Sequence, residues 1–87
     1  MLESTATLVS DTNTQNEVYV SVWDITQNEF NVASQSGIRA RLMLKTSLYD
    51  YNNEEICEYD GNTYKIYRTY KSGDYIELYL AERVGVF

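Results

Sequence analysis

Strict alternation of apolar and polar residues is the feature of this chain that constrains its fold most. Every second residue is apolar in residues 38–45 and again in residues 74–82, namely Ile38, Ala40, Leu42, Leu44, Ile76, Leu78 and Leu80. Successive side chains of a β-strand point to opposite faces, so a period of two predicts a strand with one buried face. Both segments therefore read as strands of a half-buried sheet, and the first has a basic outer face.

Four further segments have strand character: residues 4–10, 17–25, 56–59 and the segment between Gly61 and Ser72. They are short, rich in Thr, Val, Ile and Tyr, and bounded by polar residues. In residues 17–25 one face is formed by Val18, Val20 and Val22. The opposite face is formed by Tyr19, Ser21, Trp23 and Ile25. Both faces are partly apolar, which favours a central strand.

Two glycine-containing pairs predict the turns of the second half. Asp60-Gly61 matches the two-residue hairpin connection, in which both central residues adopt positive φ. Ser72-Gly73 is predicted to play a similar part before the last strand. The strand between these two turns is therefore expected to belong to two consecutive hairpins.

One segment changes from a period of two to helical spacing. Thr26 is followed three residues later by Glu29, which is the pattern of a capping box at a helix N-terminus. Gly37 fits the left-handed position that ends a helix. Phe30 and Ala33 lie on one side at helical spacing. Residues 26–36 therefore predict a short helix, which is stable only if its Phe30 side docks on the sheet.

Six strands, with one short helix after the second, predict a mainly β fold. The chain has 87 residues, of which 44% are hydrophobic and 23% are charged, and both values lie near the averages of globular domains. That length is typical of a single domain, here residues 1–87. The expected architecture is a small antiparallel six-stranded β-barrel with tyrosines in its wall.

The chain lacks the residues that catalytic, metal and cofactor sites need. The chain has no histidine, which excludes Ser/His/Asp and Cys/His catalysis, and its single cysteine, Cys57, leaves no disulfide and no zinc site. Four carboxylates, at Glu54, Glu55, Glu58 and Asp60, could supply an acid–base pair. A solvated acidic edge is favoured, because no apolar pocket is predicted around them. We expect no enzymatic activity, no metal and no cofactor.

The overall charge disfavours a tight grip on duplex DNA. Thirteen acidic residues against seven basic ones give a net charge of −6, and binding to phosphates needs clustered Lys or Arg. A stripe of tyrosines could stack single-stranded bases: Tyr64, Tyr67, Tyr70, Tyr75 and Tyr79. Three cations accompany it: Lys65, Arg68 and Lys71. The alternative function is therefore a small-barrel binding module for single-stranded nucleic acid or a peptide, although barrel-wall and subunit contacts are favoured for these tyrosines.

The basic face of residues 38–45 has two interpretations, which the residues leave open. It is either a solvated strand face or a contact with an acidic edge of a neighbouring copy. The candidate interface residues are Arg39, Arg41 and Lys45 on one copy and Glu58, with Glu54 and Glu55, on the next. A contact between different faces of identical chains runs head to tail and closes into a ring.

Four motifs follow one another between Val18 and Gly85. The first is the strand VYVSVWDI, and the second is EF…A…SG, with Glu29, Phe30, Ala33 and Gly37. The third is YDG…Y.I.RTY, with Tyr59, Asp60, Gly61, Tyr64, Ile66, Arg68, Thr69 and Tyr70. The fourth is IEL.L.ER, with Ile76, Glu77, Leu78, Leu80, Glu82 and Arg83. In this order the motifs resemble the head-closure, or head–tail joining, proteins of tailed double-stranded-DNA bacteriophages.

The resemblance implies a structural virion protein and not an enzyme. Its subunits would form a homo-oligomeric ring, twelve-fold on the virion, beneath the portal and adaptor proteins of the filled head. The ring would encircle double-stranded DNA without reading its sequence, retain the packaged DNA, and present the attachment site for a tail protein. Residues 1–11 carry an acid and no continuous apolar run, so neither a signal peptide nor a membrane partner is predicted. Assembly is expected in the host bacterial cytoplasm.

Two segments are expected to meet the channel and the tail. Loops carry function on small scaffolds, and residues 11–16 and 47–55 are the two longest predicted connections. The second is favoured as the channel loop through Tyr49, Asp50, Tyr51, Glu54 and Glu55. The apolar residues near the C-terminus are the candidates for tail docking: Val84, Val86 and Phe87.

Overall fold

The computed structural model describes residues 4–82, which form a closed antiparallel barrel of six strands and one α-helix. The strands are β1 (Ser4–Val9), β2 (Gln15–Asp24), β3 (Ala40–Ser47), β4 (Ile56–Tyr59), β5 (Asn62–Ser72) and β6 (Tyr75–Glu82). Helix α1 (Gln27–Gln35) follows β2, and a 3-10 turn (Leu48–Asp50) follows β3. Around the barrel the order is β1, β2, β3, β6, β5 and β4, which pairs again with β1. The predicted fold is confirmed.

The barrel interior is filled by the inward side chains of all six strands. The fully buried ones include Leu8, Val20, Leu44, Thr46, Cys57, Ile76, Leu78 and Leu80. The alternation predicted for β3 and β6 is thus confirmed, except that Ile38 precedes β3 and is half-buried. Val22 was predicted on the same face of its strand as Val18 and Val20, but these two are buried and Val22 is 44% exposed. The reason is that β1, within the described residues, reaches along β2 only to the Ser4–Val20 pair.

The two predicted turns differ in outcome. Asp60 and Gly61 have φ values of 52° and 79°, as the predicted two-residue turn requires. The second turn is shifted by one residue from the prediction. Ser72 pairs with Tyr75, so the loop consists of Gly73, with φ of 62°, and Asp74. A glycine at the first central position favours this shifted register.

Helix α1 begins and ends where the sequence predicts. The Thr26 hydroxyl accepts a hydrogen bond from the Glu29 backbone N–H at 3.1 Å. At the other end Gly37, with φ of 75°, donates to Ser34 O, and Ile38 N–H donates to Ala33 O. These two bonds form a Schellman motif.

Helix α1 docks on the predicted side, but Ala33 and not Phe30 makes the buried contact. Phe30 is 45% exposed, whereas Ala33 is buried. The helix packs against β3, where Ala40 pairs with Ala81 and both alanines are buried. Small side chains on both sides let the helix approach the strand closely, so a bulky ring is not accommodated beneath it.

Candidate functional site

The outer surface of β2, β3, β6 and β5 carries aligned rows of large side chains. One row runs across the strands through Trp23, Met43, Tyr79 and Arg68, and the next contains Lys45, Glu77 and Tyr70. Tyr75 begins the row after that, between two serines. We call these eight residues the outer aromatic face. Trp23, Tyr70 and Tyr75 are 51%, 56% and 46% exposed.

A β-bulge in β5 shapes one corner of this face. The register shifts between Ile66 and Arg68, so Tyr67 and Arg68 both lie near Tyr79. The Tyr67 ring meets the Tyr79 ring edge-on at 6.2 Å, and the Arg68 guanidinium lies over Tyr79 at 4.0 Å. Bulges re-aim side chains in this way, and here two neighbouring residues converge on one ring.

Glu29 of α1 joins this corner through its carboxylate. It accepts hydrogen bonds from Arg68 Nη2 at 2.6 Å, from Arg68 Nε at 3.3 Å and from the Tyr67 hydroxyl at 2.7 Å. The predicted capping box would have turned this side chain back to Thr26. The two-point contact with a guanidinium is stronger than such a local bond, so Glu29 instead ties the helix to β5.

The electrostatics of the corner follow from these contacts. The hydrogen bond from Arg68 lowers the pKa of Glu29 despite its partial burial. Burial, together with the carboxylates of Glu29 and Glu77 respectively, raises the pKa values of Tyr67 and Tyr79. Both phenols therefore stay protonated donors, and neither is suited to act as a base.

Two of the three predicted interface cations already have carboxylate partners within the chain. Lys45 lies 3.9 Å from Glu77 and 5.1 Å from the centre of the Trp23 ring, and Arg41 lies 3.8 Å from Glu82. Arg39 is exposed and has no ion pair with any residue between 4 and 82. Of the three, Arg39 remains available to a partner.

Charge is divided between two halves of the barrel wall. Within residues 4–82, all six cations lie on β3 and β5 or immediately before β3: Arg39, Arg41, Lys45, Lys65, Arg68 and Lys71. The basic half consists of α1, β3, β5 and β6, with the α1–β3 connection and the β5–β6 turn. Six cations against four carboxylates give its described residues a net charge of +2.

The acidic half consists of β1, β2, β4 and the loops that flank them. Its described residues carry eight carboxylates and no cation: Asp11, Glu17, Asp24, Asp50, Glu54, Glu55, Glu58 and Asp60. A cleft of about 430 Å³ opens in this half between β1 and the β4–β5 turn. It exists because β1 and β4 pair over only three residues, from Thr7–Glu58 to Val9–Ile56. It is lined by Glu58 and Asp60, by Thr5 and Thr7 of β1, and by Thr63 of β5.

The predicted channel loop is partly built into the barrel. Leu48 and Tyr51 pack against the core, and the Tyr51 hydroxyl donates to Glu54 O at 2.9 Å. Glu54 was expected in a solvated acidic edge, but it is 4% exposed and its carboxylate accepts from Asn52 N–H at 2.7 Å. This correction has a local cause, because the carboxylate satisfies the backbone of its own turn.

The other members of the predicted channel loop differ in their exposure to solvent. Tyr49 is 78% exposed and Glu55 is exposed, whereas Asp50 is half-buried and its carbonyl accepts from Asn16 Nδ2 at 3.0 Å. Tyr49 and Glu55 are therefore the two members free to contact another molecule. The predicted tail-docking residues Val84, Val86 and Phe87 lie outside the described residues.

Cys57 lies where β1 pairs with β4 over three residues, a junction that we call the β1–β4 seam, and it is completely buried. Burial, with a smaller effect from Glu58, raises the pKa of its thiol to about 12. A thiol with so little thiolate is a poor nucleophile. Between residues 4 and 82, no three His, Cys, Asp or Glu side chains are grouped as metal ligands.

The five tyrosines of the predicted stripe differ in burial and hydrogen bonding. Tyr64 packs against the core, Tyr67 and Tyr79 are half-buried with bonded hydroxyls, and Tyr70 and Tyr75 are exposed. Sequence reasoning missed Trp23 as a site residue. The face of β2 on which Trp23 lies was predicted, but not which face points outward, and its neighbours Met43 and Lys45 depend on the pairing of β2 with β3.

Comparison with known proteins finds no matching family model, no matching curated protein and no matching solved structure. Neither α1 nor the 3-10 turn, the helices in the part of the chain that the structure describes, has the length and apolar character to cross a membrane.

Proposed function

We propose that this protein is the ring-forming head-closure subunit of a bacteriophage head–tail connector. The observation that carries the proposal is the division of the barrel wall into a basic half, with net charge +2, and an acidic half that carries eight carboxylates and no cation among its described residues. Opposite charges on different sides of one subunit favour contacts that run head to tail.

The contact between copies would bring Arg39 of one subunit near Glu58 of the next. Both are exposed, and neither has an ion pair within residues 4–82. Arg41 and Lys45 lie farther along β3 and add to the positive potential while remaining paired with Glu82 and Glu77. Such a contact is weakened by salt, because Arg39 and Glu58 are exposed to water.

The acidic character of the chain suits a ring that surrounds DNA. The barrel interior is filled with side chains, so DNA would pass through the lumen between subunits and not through the barrel. A net charge of −6 keeps the duplex from sticking to the wall. In the predicted channel loop, Tyr49 and Glu55 are exposed, and these two residues would narrow that lumen. The portal or adaptor protein would bind on the head side and a tail protein on the distal side.

The alternative, a binding module for single-stranded nucleic acid, has one observation in its favour. Arg68 stacks on Tyr79 and Lys45 lies over Trp23, an arrangement that also binds bases. However, Glu29 neutralises Arg68 and Glu77 neutralises Lys45. A phosphate backbone would therefore meet little net positive charge, and we rank this function second.

Deleting the coding sequence from the phage that carries it tests the proposal. Infected cells should still make heads and tails, but as separate particles, and the heads should lose their DNA. Complementation with the intact chain should restore tailed, DNA-filled particles. Normal tailed particles from the deletion phage would overturn the proposal. Tight binding of an oligonucleotide to the purified chain at physiological salt would favour the binding-module alternative.

A further inference from the structure

We infer that the free edge of β5, formed by residues 68–72, binds the same edge of a second copy of this chain through an antiparallel ladder. The inference goes beyond the proposed function. The ring contact runs head to tail through Arg39 and Glu58, which lie toward the other end of the barrel, at the level of the first residues of β5. A ladder between two identical edges has two-fold symmetry instead and closes at two chains.

Strand β5 extends beyond its neighbour β4. Among residues 4–82, β4 pairs with residues 62–65 of β5, whereas β6 pairs with β5 as far as Ser72. On the β4 side, Ile66 N–H still donates to Glu55 O at 2.9 Å. The bulge between Ile66 and Arg68 follows directly, and bulges bend a strand and end its pairing. Within the described part of the chain, residues 68–72 therefore have no strand on the side away from β6.

The backbone groups of Thr69 and Lys71 point out of this free edge. Ser72 and Tyr75 flank the two-residue turn, so they form a hydrogen-bonded pair of the β5–β6 ladder. Hydrogen-bonded and non-hydrogen-bonded pairs alternate, so Thr69 and Lys71 form non-hydrogen-bonded pairs with β6. Their N–H and C=O groups therefore point away from β6. A row of such groups is a template for an added strand.

The free edge is open to solvent on both sides of the sheet. All of residues 68–72 are exposed, although Ile66 just before them is buried. Tyr70 lies on the outer side of the strand, and Thr69 and Lys71 lie on the inner side, opposite core residues of β6. Because these inner-side residues are also exposed, nothing within residues 4–82 covers the edge, and a second strand has room there.

The side chains of the edge fit an identical edge. With the two-fold axis at Tyr70, the Tyr70 residues of both copies face each other, Thr69 faces Lys71, and Arg68 faces Ser72. No cation then stands directly opposite another cation, which would be destabilising, whereas the aromatic pair stabilises the ladder. Thr69 and Lys71 of both copies supply the backbone hydrogen bonds. This register begins after the bulge, so the irregular part of β5 is not needed.

The charges and the length of the edge predict a weak contact that salt strengthens. Arg68 is already paired with Glu29. The two Lys71 residues lie diagonally across the ladder, about 7–8 Å apart, and salt screens their repulsion. The ladder extends over about 17 Å of strand and is smaller than a standard interface. Dimers should therefore form at millimolar concentration. A contact between the oppositely charged halves would respond to salt in the opposite direction.

Proline at Thr69 tests the free edge. Because Thr69 N–H points away from β6, Thr69→Pro removes a bond of the new ladder and keeps the β5–β6 ladder. In two-dimensional NMR spectra of the wild type, amides of residues 68–72 should shift as concentration rises to millimolar, and more so at high salt. Thr69→Pro should lose these shifts, and the control Thr69→Val, which keeps the N–H, should retain them. Lys71→Pro is the second variant if Thr69→Pro does not fold.

Cysteine cross-linking tests the register. In a non-hydrogen-bonded antiparallel pair the Cα atoms lie about 4.5 Å apart, a distance that a disulfide spans. Tyr70→Cys should therefore form a linked dimer in a glutathione buffer. Tyr75→Cys is the control, because Tyr75 is similarly exposed but lies on β6, away from the edge. The buried Cys57 should not react. Tyr70→Ala should weaken association about fivefold, the most that a cross-strand pair usually contributes.

Four results would overturn the inference. Unchanged shifts in a folded Thr69→Pro chain would mean that the edge is not the contact. Association that salt weakens, with shifts near Arg39 and Glu58, would mean that the free chain uses the ring contact instead. Absence of wild-type association at millimolar concentration and high salt would remove the ladder. Equal cross-linking of Tyr70→Cys and Tyr75→Cys would contradict the register. The deletion phage tests the proposed function separately, so the two can fail independently.

Discussion

The basic and acidic halves of the barrel are built from the same kind of strand but are held together differently. In the basic half, β6 pairs with β3 over seven residue pairs and with β5 over eight. In the acidic half, β1 and β4 are joined by three pairs, and a cleft opens beside them. This difference shows that the alternation of apolar and polar residues determines which side chains fill the barrel. The number of residues over which two neighbouring strands pair determines whether the wall between them is closed.

The largest expected effect concerns the thiol of Cys57, which lies at the β1–β4 seam. Because burial raises the pKa of Cys57 to about 12 from an ordinary value of 9.0, its thiolate fraction at neutral pH should fall about a thousandfold. Alkylation of the native protein should therefore be slower than that of the chain in denaturant by at least this factor. Labelling at the rate of the unfolded chain would show that the seam is open.

A second prediction uses β6, the strand shared by both long pairings. Leu78 is completely buried, so Leu78→Ala should lower the free energy of unfolding by about 2–5 kcal/mol. The matched control is Val22→Ala beyond the end of β1, where the side chain is 44% exposed and the cost should be below about 1 kcal/mol. Equal costs in urea unfolding would contradict the assignment of the core.

The contact between Glu29 and β5 should contribute less than the core. Glu29→Ala removes the bonds to Arg68 and Tyr67, and we expect a loss of about 1–2 kcal/mol, limited by the exposure of Arg68. The same substitution at Glu17, an exposed carboxylate of the acidic half, should change stability by less than about 0.5 kcal/mol. Indistinguishable variants in thermal unfolding would mean that this contact does not hold the helix.

The same contact predicts the direction of a pH effect. The hydrogen bond from Arg68 lowers the pKa of Glu29 in the folded state below its ordinary value of 4.5. The unfolded state therefore binds the proton first, and the stabilisation is present above about pH 4.5 and lost as pH falls through the lowered pKa. The stability difference between wild type and Glu29→Gln should shrink on acidification below pH 4.5. A difference that grows on acidification would contradict the lowered pKa of Glu29 in the folded state.

The effect expected at Phe30 is similar in size to that at Glu29 and smaller than that at Leu78. A fully buried ring would cost about 3–5 kcal/mol on truncation, but this ring is 45% exposed. Phe30→Ala should therefore cost about 1–2 kcal/mol in thermal unfolding. A cost as large as that of Leu78→Ala would restore the predicted docking of Phe30, and no change would show that Ala33 and Glu29 alone hold α1.

Local signals in the sequence predicted most of the fold. Alternation identified the inward residues of β3 and β6, Asp60-Gly61 identified a hairpin, and Thr26 with Gly37 identified both ends of α1. Each of these depends on residues close together in the chain, which is why each could be predicted. The one-residue shift of the second turn escaped, because Ser72-Gly73 and Gly73-Asp74 are both acceptable turn sequences.

The surfaces were harder to predict because they depend on contacts between distant residues. Arg41 and Lys45 were recognised as a basic face, but their partners Glu82 and Glu77 come from β6, 41 and 32 residues later in the chain. From the sequence, Glu54 was predicted to be an exposed acid. In the folded turn its carboxylate accepts a hydrogen bond from the Asn52 backbone N–H. Sequence alone shows which side of a strand a residue occupies, but not which strand lies next to it.

The central claim is that this chain forms a ring at the junction between head and tail. Labelling the chain with specific antibody on virions and on separated heads and tails, viewed by negative-stain electron microscopy, tests it most directly. We predict label at the junction of intact particles and at the portal vertex of DNA-filled heads. Label along the tail or on the capsid shell, or none on any particle, would contradict the account.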